Sequence, residues 1–565
     1  MKASRLTVLA GMVSPGFMAQ LALASEAQRP LGGTARDPFT KEFGKLAEEL
    51  LEKWHVPGIA IGVVDGDETF AQGYGIATYP STPVTPSTLF YGGSTTKAFT
   101  AAALGLMISS GNYTTLSYPS RPLDWTTPLA DILRDDFVLQ DDWATAHLTL
   151  EDALSHRTGM PRHDKALSRR YPTDDSGGGG DGSATRPATV RDVVRSLRHL
   201  PLNAEPRTTY QYCNLMYAVA SHAAETLAGG RWLGDILREW IWRPLGMRST
   251  YFSLDAALAA PEHLARGYWW DDGAGRYGAV RHMPLEEVSG AGSVISNVLD
   301  YAAWMRCLID EAAPIPAEVH RAFRAPRVFP SEETGAFDTP PGYAFGWVTS
   351  SYKGHRLWTH SGGMDAFGAE VYFFPKERFG VVTFANTAVT SNAVGEILTW
   401  EIVDDKLGVP EEERGNWSAK WEGHLNQTDT KIKNAVDDLY PQRAKPGLPP
   451  ALPIEAYVGT YFHPGYLNMT VELADAEARA RKPQVQLVAE RADFTWPVKC
   501  EFEHVSGEYW VMYIDLLHAP GLAMKEFAPA QFKIGANGEV TALGIEWRYI
   551  AEDMVEGLIW FDRIA

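Results

Sequence analysis

Ser94 and Lys97 stand three residues apart at the start of an apolar stretch, and their residue types suit nucleophilic catalysis. Residues at this spacing share one helix face, so the lysine nitrogen can lie against the serine hydroxyl and help to remove its proton. The N–H groups and the positive dipole end of the helix N-terminus suit the oxyanion that forms when serine attacks a carbonyl. The pair alone is weak evidence, because a serine at this position is often only a helix N-cap.

The same spacing recurs at Ser350 and Lys353. No apolar helix follows this second copy, which lies between Gly346-Trp347 and a strand leading to His360. We therefore interpret it as solvated residues of a hairpin turn.

Two further motifs strengthen the evidence that Ser94 and Lys97 are catalytic. Tyr212-Cys213-Asn214 enters another apolar helix, and His360-Ser361-Gly362-Gly363 lies on a predicted strand. In this order the three motifs resemble those of the penicillin-recognising serine enzymes, the β-lactamases and penicillin-binding proteins. The chain is most similar to their class C branch, with its D-aminopeptidase, family VIII esterase and fungal acyltransferase relatives. Supporting phrases between about residues 40 and 400 are Val56-Pro-Gly58, Gln72-Gly-Tyr-Gly75, Leu154-Ser-His-Arg-Thr-Gly-Met-Pro161, Pro244-Leu-Gly-Met247 and Ala291-Gly-Ser-Val-Ile-Ser296.

The resemblance implies a role for each catalytic residue. Ser94 would be the nucleophile and Lys97 its base partner. Tyr212 would carry protons to the leaving group and activate water. A free tyrosine ionises near pH 10, so this role needs a neighbouring cation, which Lys97 could provide.

The resemblance also implies the binding residues. Asn214 would orient Lys97 and the substrate amide or ester. His360 and Gly362 would belong to the substrate-binding strand, and the backbone N–H groups of Ser94 and Gly363 would form the oxyanion hole.

The chain departs from the β-lactamases at two positions. They usually carry Lys-Thr-Gly where this chain has His360-Ser361-Gly362, and histidine is mostly neutral at pH 7. A fixed positive charge for a substrate carboxylate is therefore missing, which favours esterase or peptidase chemistry over penicillin hydrolysis. Cys213 replaces the commoner Ser or Ala, and we expect this change only to tune the pocket.

Three functions stay open. The first is a serine hydrolase that acts through a covalent acyl-enzyme on small esters, amides or short peptides, including peptides of D-amino acids. The second is an acyltransferase that passes the acyl group from Ser94 to an alcohol. The third is a catalytically idle binding protein, which is disfavoured because every expected catalytic side chain is present. The chemistry requires no metal and no cofactor.

Other sequence motifs are absent or lack the neighbouring elements that their function requires. Gly177, Gly179 and Gly182 satisfy Gly-x-Gly-x-x-Gly, but no strand precedes them, and we predict a loop. The chain has no Gly-x-Ser-x-Gly and no His-Glu-x-x-His motif. Its three cysteines are isolated in sequence and are predicted to be buried apolar residues.

The hydrophobic pattern predicts one α+β domain, and the resemblance implies that it has the β-lactamase fold, an antiparallel sheet flanked by helices with an all-helical subdomain. An early strand pair, a helical middle and late strands indicate a sheet that is closed by both ends of this region. The predicted strands are 59–64, 69–73, 356–359, 369–374 and 380–385, and the predicted helices are 39–54, 97–110, 216–228 and 232–242.

Four segments follow from the composition. Residues 1–24 have the pattern of a cleavable signal peptide, 36–405 form the hydrolase-like domain and 406–452 are polar enough for a linker. Short alternating strands in 453–565 predict a small antiparallel β-barrel, whose opening Tyr457-Val-Gly-Thr-Tyr461 resembles a lipocalin-like domain.

The chain of 565 residues has a formal charge of −19 and no long basic run, which argues against nucleic acid and anionic lipid as partners. The expected partner is a small-molecule ester, amide or short peptide, and the oligomeric state stays open. We expect a secreted protein, or a cytoplasmic one if the leader is not a signal. Sequons at Asn112, Asn416, Asn426 and Asn468 agree with secretion.

Overall fold

One antiparallel sheet joins the early and late strands of the first 400 residues. The computed structural model describes residues 35–173, 185–521, 525–547 and 555–565. The strand Gly58–Asp65 pairs with Glu68–Thr78 on one side and with Phe379–Ala385 on the other. This pairing confirms the predicted closure by both ends. The eight strands stand in the spatial order Gly342–Tyr343, Val348–Tyr352, His355–Met364, Phe367–Phe374, Phe379–Ala385, Gly58–Asp65, Glu68–Thr78 and Thr82–Pro83.

The central strands of this sheet are buried on both faces. All eight residues of Gly58–Asp65 are buried, and successive side chains point into two different hydrophobic cores. Ile59 and Ile61 contribute to the core that also contains residues of the helix Thr390–Leu407, whereas Ala60 and Val64 belong to the core around Phe99. Helices on both faces explain why these strands are continuous apolar runs rather than alternating ones.

Most helices of the described residues surround this sheet or build the helical subdomain, whereas Ala476–Arg481 lies between two strands of the C-terminal region. The predicted 97–110 and 216–228 correspond to Thr96–Ser110 and Asn214–Leu227. The predicted helix 232–242 is interrupted, because a π-helical turn at Arg238–Trp242 separates Leu233–Leu237 from Arg243–Leu245. The remaining helices are Lys41–Lys53, Ala130–Leu133, Asp142–His147, Leu150–Leu154, Val190–Ser196, Leu254–Leu258, Ser289–Gly292, Val298–Asp310, Ala317–Arg324, Thr390–Leu407, Trp417–Leu439 and Ala476–Arg481. Short two-stranded ribbons pair Phe90–Tyr91 with Ile295–Ser296, Arg170–Pro172 with Thr185–Pro187, and Gly267–Asp271 with Arg276–Val280.

The segment 406–452, predicted as a linker, contains the 23-residue helix Trp417–Leu439. Most residues of this helix are polar, but a few buried side chains anchor it to the rest of the protein. Trp417 is buried and stacks on Trp400 with ring centroids 4.8 Å apart, and Ala435 is buried against Val505 and Val511. The helix therefore contacts both the sheet region and the C-terminal region.

The C-terminal region is a closed antiparallel barrel, as predicted. Its strands are Gly459–His463, Leu467–Leu473, Val485–Arg491, Val498–Ser506, Tyr509–Leu516, Glu526–Ile534, Val540–Ile545 and Ile559–Arg563. Tyr457, Tyr461, Trp510 and Phe532 are at most 1% exposed and contact one another inside the barrel. Aromatic side chains thus fill the interior, as expected for a barrel of this size.

The loop between two barrel strands docks on the helical subdomain. Residues 493–495 pair with 167–169 in the manner of strands, with Arg169 N donating to Asp493 O at 2.9 Å and Thr495 N donating to Leu167 O at 3.0 Å. Buried Arg491 donates to Lys165 O at 2.6 Å. These bonds place the barrel beside the segment that follows Pro161.

Some predictions fall on residues that the structure does not describe. The proposed signal peptide 1–24 and the glycines at 177, 179 and 182 lie outside the described residues. The prediction that no strand precedes these glycines was wrong, because Arg170–Pro172 forms a short strand by pairing with Thr185–Pro187. Across the described part of the chain, no helix combines the length and apolarity that a membrane span requires. No group of three or more His, Cys, Asp or Glu side chains there is placed to hold a metal ion.

Candidate active site

Two glycine pairs bring Ser94 against the end of the strand His355–Met364. Ser94 lies in a 3₁₀ turn, Gly93–Thr95, that leads into the helix Thr96–Ser110. Gly93 has a φ of +51°, which favours glycine. A Cβ added to Gly362 would lie 2.1 Å from Gly92 O, and one added to Gly93 would lie 2.9 Å from Gly363 N. Any larger residue at Gly93 or Gly362 would push the serine turn and the strand apart.

The first two motifs meet at the serine hydroxyl. Lys97 Nζ lies 3.0 Å from Ser94 Oγ, and Tyr212 OH lies 2.8 Å from the same oxygen. Ser94 is partly exposed, whereas Lys97 is fully buried. A nucleophile within hydrogen-bond reach of two proton-handling groups has the geometry that covalent catalysis needs.

Lys97 is buried and has three polar neighbours. Its Nζ donates to Asn214 Oδ1 at 2.8 Å and to Ala291 O at 3.0 Å, and its third contact is the 3.0 Å approach to Ser94 Oγ. Burial lowers the pKa of Lys97 well below its ordinary 10.5, and the charge of Arg162 lowers it further, while Asp164 acts in the opposite direction. A lowered pKa makes the neutral amine, which can accept the serine proton, more accessible.

Asp164 orients Asn214 and was missed by the sequence analysis. Asn214 Nδ2 donates to the two Asp164 carboxylate oxygens at 3.1 and 3.0 Å, which fixes its Oδ1 toward Lys97. Arg162 Nε forms a 3.0 Å ion pair with the same carboxylate. Both residues follow Pro161 of the quoted phrase Leu154–Pro161, which is the only sequence signal that pointed to this segment.

Two cations flank the ring of Tyr212. Lys97 Nζ lies 4.9 Å and Arg162 Cζ 4.8 Å from the ring centroid. His156, also from the phrase Leu154–Pro161, accepts a hydrogen bond from Cys213 N at 3.0 Å and so fixes the backbone beside Tyr212. The cations provide the positive field that would stabilise a phenolate.

His360 is buried and neutral. Its Nε2 lies 3.0 Å from Tyr343 OH, and its Nδ1 lies 2.6 Å from Ser361 O. Burial, with a second contribution from Lys97, lowers the pKa of His360 to about 3. This position therefore carries no positive charge at neutral pH.

The strand His355–Met364 pairs with Val348–Tyr352 only as far as Thr359, which lies opposite Val348. Residues 360–364 extend beyond this neighbouring strand. Ser361 and Gly363 are exposed on this free edge. The edge presents backbone groups next to Ser94, and the Gly363 N–H lies toward the serine turn.

The second Ser-x-x-Lys copy differs from its interpretation as solvated turn residues. Ser350 is buried within the strand Val348–Tyr352 and donates to Thr339 O at 2.7 Å. Only Lys353 lies in the turn, where it pairs with Glu413. The strand extends closer to the turn than the sequence indicated, because Thr339 satisfies the buried hydroxyl.

Two cavities meet at Ser94. The first, of about 330 Å³, is lined by Asn214, by apolar side chains and by the barrel residues Trp496, Leu516 and Glu526. The second, of about 610 Å³, is lined by Tyr212, His360, Ser361 and other residues out to the helix Trp417–Leu439. We call them the barrel-side cavity and the tyrosine-side cavity. The residues of this barrel wall were not predicted, since no motif marks Trp496, Leu516 or Glu526.

The family models divide the chain in two. The model described as Beta-lactamase matches residues 43–403, and a model described as a domain of unknown function (DUF3471) matches residues 443–563. The first match covers more than half of the chain.

Similar curated proteins include hydrolases. An unguisins hydrolase of Aspergillus campestris (strain IBT 28561) is 42% identical, over 90% of this chain and 90% of that protein. One from Aspergillus violaceofuscus (strain CBS 115571) is 39% identical, over 90% of this chain and 88% of that protein. A D-aminopeptidase of Gluconobacter oxydans (strain 621H) is 25% identical, over 66% of this chain and 64% of that protein.

Solved structures share the whole architecture. The octameric penicillin-binding protein homologue from Pyrococcus abyssi has a TM-score of 0.54 at 20% identity and covers 92% of this chain and 99% of its own. SurE has a TM-score of 0.51 at 20% identity and covers 93% and 98%. These structures share the fold of the chain. The family match and the identity to the curated hydrolases establish that the chain belongs to the beta-lactamase family and is a serine hydrolase.

Proposed function

We propose that this protein hydrolyses amide bonds in small peptides through an acyl-enzyme on Ser94. The observation that carries the proposal is the placement of Lys97 Nζ and Tyr212 OH at 3.0 and 2.8 Å from Ser94 Oγ, at the junction of two cavities. The names of the curated relatives, unguisins hydrolase and D-aminopeptidase, support an amide or peptide substrate.

The proposed reaction uses each of the three side chains. Lys97, whose pKa burial lowers well below its ordinary value, takes the proton of Ser94 as the oxygen attacks the carbonyl carbon. The N–H groups of Ser94 and Gly363 stabilise the oxyanion. Tyr212 gives a proton to the departing amine, and the phenolate, stabilised by Lys97 and Arg162, then activates water for deacylation.

The position of Tyr212 supports an orientation for the two halves of the substrate. The group that protonates the leaving amine has to lie within hydrogen-bond reach of it. Tyr212 lines the tyrosine-side cavity, whereas the described lining of the barrel-side cavity does not include it. The leaving half therefore occupies the tyrosine-side cavity, and the acyl half lies against Trp496 and Leu516.

The acyl half is expected to be bulky and largely apolar. Leu285, Val288, Met364 and Leu516 line the barrel-side cavity. Its charged groups are paired, since Asp164 binds Arg162 at 3.0 Å and Glu526 lies 3.2 Å from Lys165. Paired charges favour a neutral acyl group over one with a free charge.

Labelling with a fluorophosphonate tests the nucleophile. The wild type and Ser350→Ala, which alters the second Ser-x-x-Lys copy, should be labelled and should hydrolyse a peptide amide. Ser94→Ala should do neither, because the acyl-accepting oxygen is gone. Labelling of Ser94→Ala at the wild-type rate would contradict the assignment.

A further inference from the structure

The peptide group that joins Gly362 and Gly363 has two different neighbours. In a trans peptide the carbonyl and the N–H point in opposite directions. The Gly363 nitrogen lies on the side of the Gly93-Ser94 turn, 2.9 Å from where a Gly93 Cβ would stand. The Gly362 carbonyl lies on the opposite side, toward the strand Phe367–Phe374, and there it accepts a hydrogen bond from Asn392 Nδ2 at 3.0 Å.

Asn392 is fixed in this orientation by its other acceptors. The same Nδ2 lies 3.2 Å from Ala369 O and 2.8 Å from Glu370 Oε1, so its two N–H groups are shared among three acceptors. Backbone carbonyls only accept hydrogen bonds, so the amide nitrogen and not the amide oxygen has to face Gly362 and Ala369.

The segment before Asn392 is held by side-chain hydrogen bonds. Thr387 N donates to Ser391 Oγ at 2.8 Å, and Thr387 Oγ1 lies 2.7 Å from Thr390 Oγ1. Val389 has a φ of +60°, a strained conformation for a β-branched residue. Strain of this kind persists only where the surroundings enforce it. The start of the helix Thr390–Leu407 is therefore held rigidly over the Gly362 carbonyl.

We propose that Asn392 is a positioning residue that holds and polarises the Gly362–Gly363 peptide, so that the Gly363 N–H is a stronger oxyanion donor. The proposal rests on the proposed function, which gives that N–H its role. A donor on the carbonyl polarises the peptide group, and hydrogen bonds in such a chain strengthen one another. The bond also fixes the peptide plane, and oxyanion stabilisation depends on a donor that is already oriented.

Replacing Asn392 by leucine removes the donor at similar side-chain volume. We expect Asn392→Leu to lower kcat for a p-nitrophenyl ester by about tenfold, a fraction of the loss seen when a whole oxyanion donor is removed. KM should stay within about threefold, and affinity for a boronic acid, whose adduct places an oxygen in the oxyanion hole, should fall in parallel with kcat. Asn392→Gln, which keeps an amide donor, should recover part of both losses. Asn434→Leu, at an exposed position of the helix Trp417–Leu439, is the matched control.

A spectroscopic readout separates positioning from loss of structure. The carbonyl stretch of the acyl-enzyme, followed by infrared difference with a ¹³C-labelled acyl group, reports the strength of the hydrogen bonds to that oxygen. We expect a shift to higher frequency in Asn392→Leu and a smaller shift in Asn392→Gln.

Three results for Asn392→Leu would overturn the proposal. The first is an unchanged carbonyl frequency, and the second is a kcat and a boronic acid affinity within twofold of the wild type. The third is a rise in KM alone, which would make Asn392 a substrate-binding residue, since it lines both cavities. Failure of the proposed function is recognised separately, since Ser94→Ala would then keep its acylation.

Discussion

At the residue scale, the proposed mechanism depends on one oxygen that has two proton-handling neighbours of different character. Lys97 is buried and bonded to Asn214 and Ala291, which hold it beside Ser94. Tyr212 is partly exposed and lines the tyrosine-side cavity. In the proposed mechanism, this arrangement separates the base that activates the serine from the acid that serves the leaving amine.

Removing either proton-handling group should leave a folded but slow enzyme. We expect Lys97→Ala and Tyr212→Phe each to lower kcat by at least about a hundredfold, the usual loss for a positioned proton-transfer group. Steady-state kinetics with a peptide amide measure the effect, and circular dichroism checks the fold. Activity near the wild-type value in either variant would show that the proton is taken by another group.

His360 should set the charge preference of the substrate. Because its pKa is lowered to about 3, it offers no charge to a substrate carboxylate at neutral pH. We expect His360→Lys to raise the ratio of kcat/KM for nitrocefin to that for p-nitrophenyl butyrate about ten- to a hundredfold, corresponding to about 1 to 3 kcal/mol. His504→Lys, in the barrel, is the control. If His360→Lys left this ratio of kcat/KM values unchanged, the role of His360 in charge preference would be contradicted.

At the element scale, the strand His355–Met364 and the helix Thr390–Leu407 set the geometry of the proposed oxyanion hole. Glu370, beneath the start of this helix, is buried, and burial with the nearby charge of Glu396 raises the pKa of Glu370 to about 8. The carboxyl is protonated at neutral pH in the folded chain, whereas its unfolded pKa is about 4.3.

This difference predicts how stability depends on pH. Between these two pKa values the folded state binds more protons than the unfolded state, so the contribution of Glu370 to stability is lost as pH rises from about 4 through about 8. Glu370→Gln should therefore gain about 1 to 3 kcal/mol of unfolding free energy relative to the wild type between pH 5.5 and 8.5. Urea unfolding at the two pH values measures it, with the exposed Glu48→Gln as control. If the unfolding free energies of Glu370→Gln and the wild type differed by the same amount at both pH values, the raised pKa would be contradicted.

Local patterns predicted the elements of the site, but not the contacts between them. The Ser94–Lys97 spacing, the apolar helix behind it and the strand before Gly363 are all visible within a few residues, and the predicted bounds differ from the structure by a few residues. Asp164 and Asn392 could not be predicted in this way. Each is placed at the site by hydrogen bonding to a residue 30 or more positions away, Asn392 to Gly362 and Asp164 to Asn214, and no periodicity encodes such a contact.

At the scale of the whole molecule, the barrel forms one wall of the cleft. The loop at 493–495 pairs with 167–169, just after the segment that carries Arg162 and Asp164. A single stretch of chain thus contacts both the catalytic residues and the barrel. Alternating strands predicted a barrel from the sequence, but its docking depends on surface complementarity between distant segments, which a single sequence does not reveal.

Trp496 should determine which acyl groups are accepted. We expect Trp496→Ala to lower kcat/KM for substrates with a bulky apolar acyl group by about tenfold or more, because an apolar contact in a pocket contributes about 1 to 3 kcal/mol of discrimination. Acetyl substrates, too small to reach the barrel wall, should be affected much less. Tyr509→Ala, exposed on the barrel, is the control. Equal losses for large and small acyl groups would show that Trp496 supports the fold instead of the specificity.

The central claim is that the acyl group of the substrate is transferred to Ser94. Intact-protein mass spectrometry during turnover of a p-nitrophenyl ester, followed by peptide mapping, tests it directly. The account predicts a mass increase equal to the acyl group on the peptide that contains Ser94, larger in Tyr212→Phe, where deacylation is slowed, and absent in Ser94→Ala. An acyl group mapped to another residue, or turnover by Ser94→Ala at the wild-type rate, would contradict it.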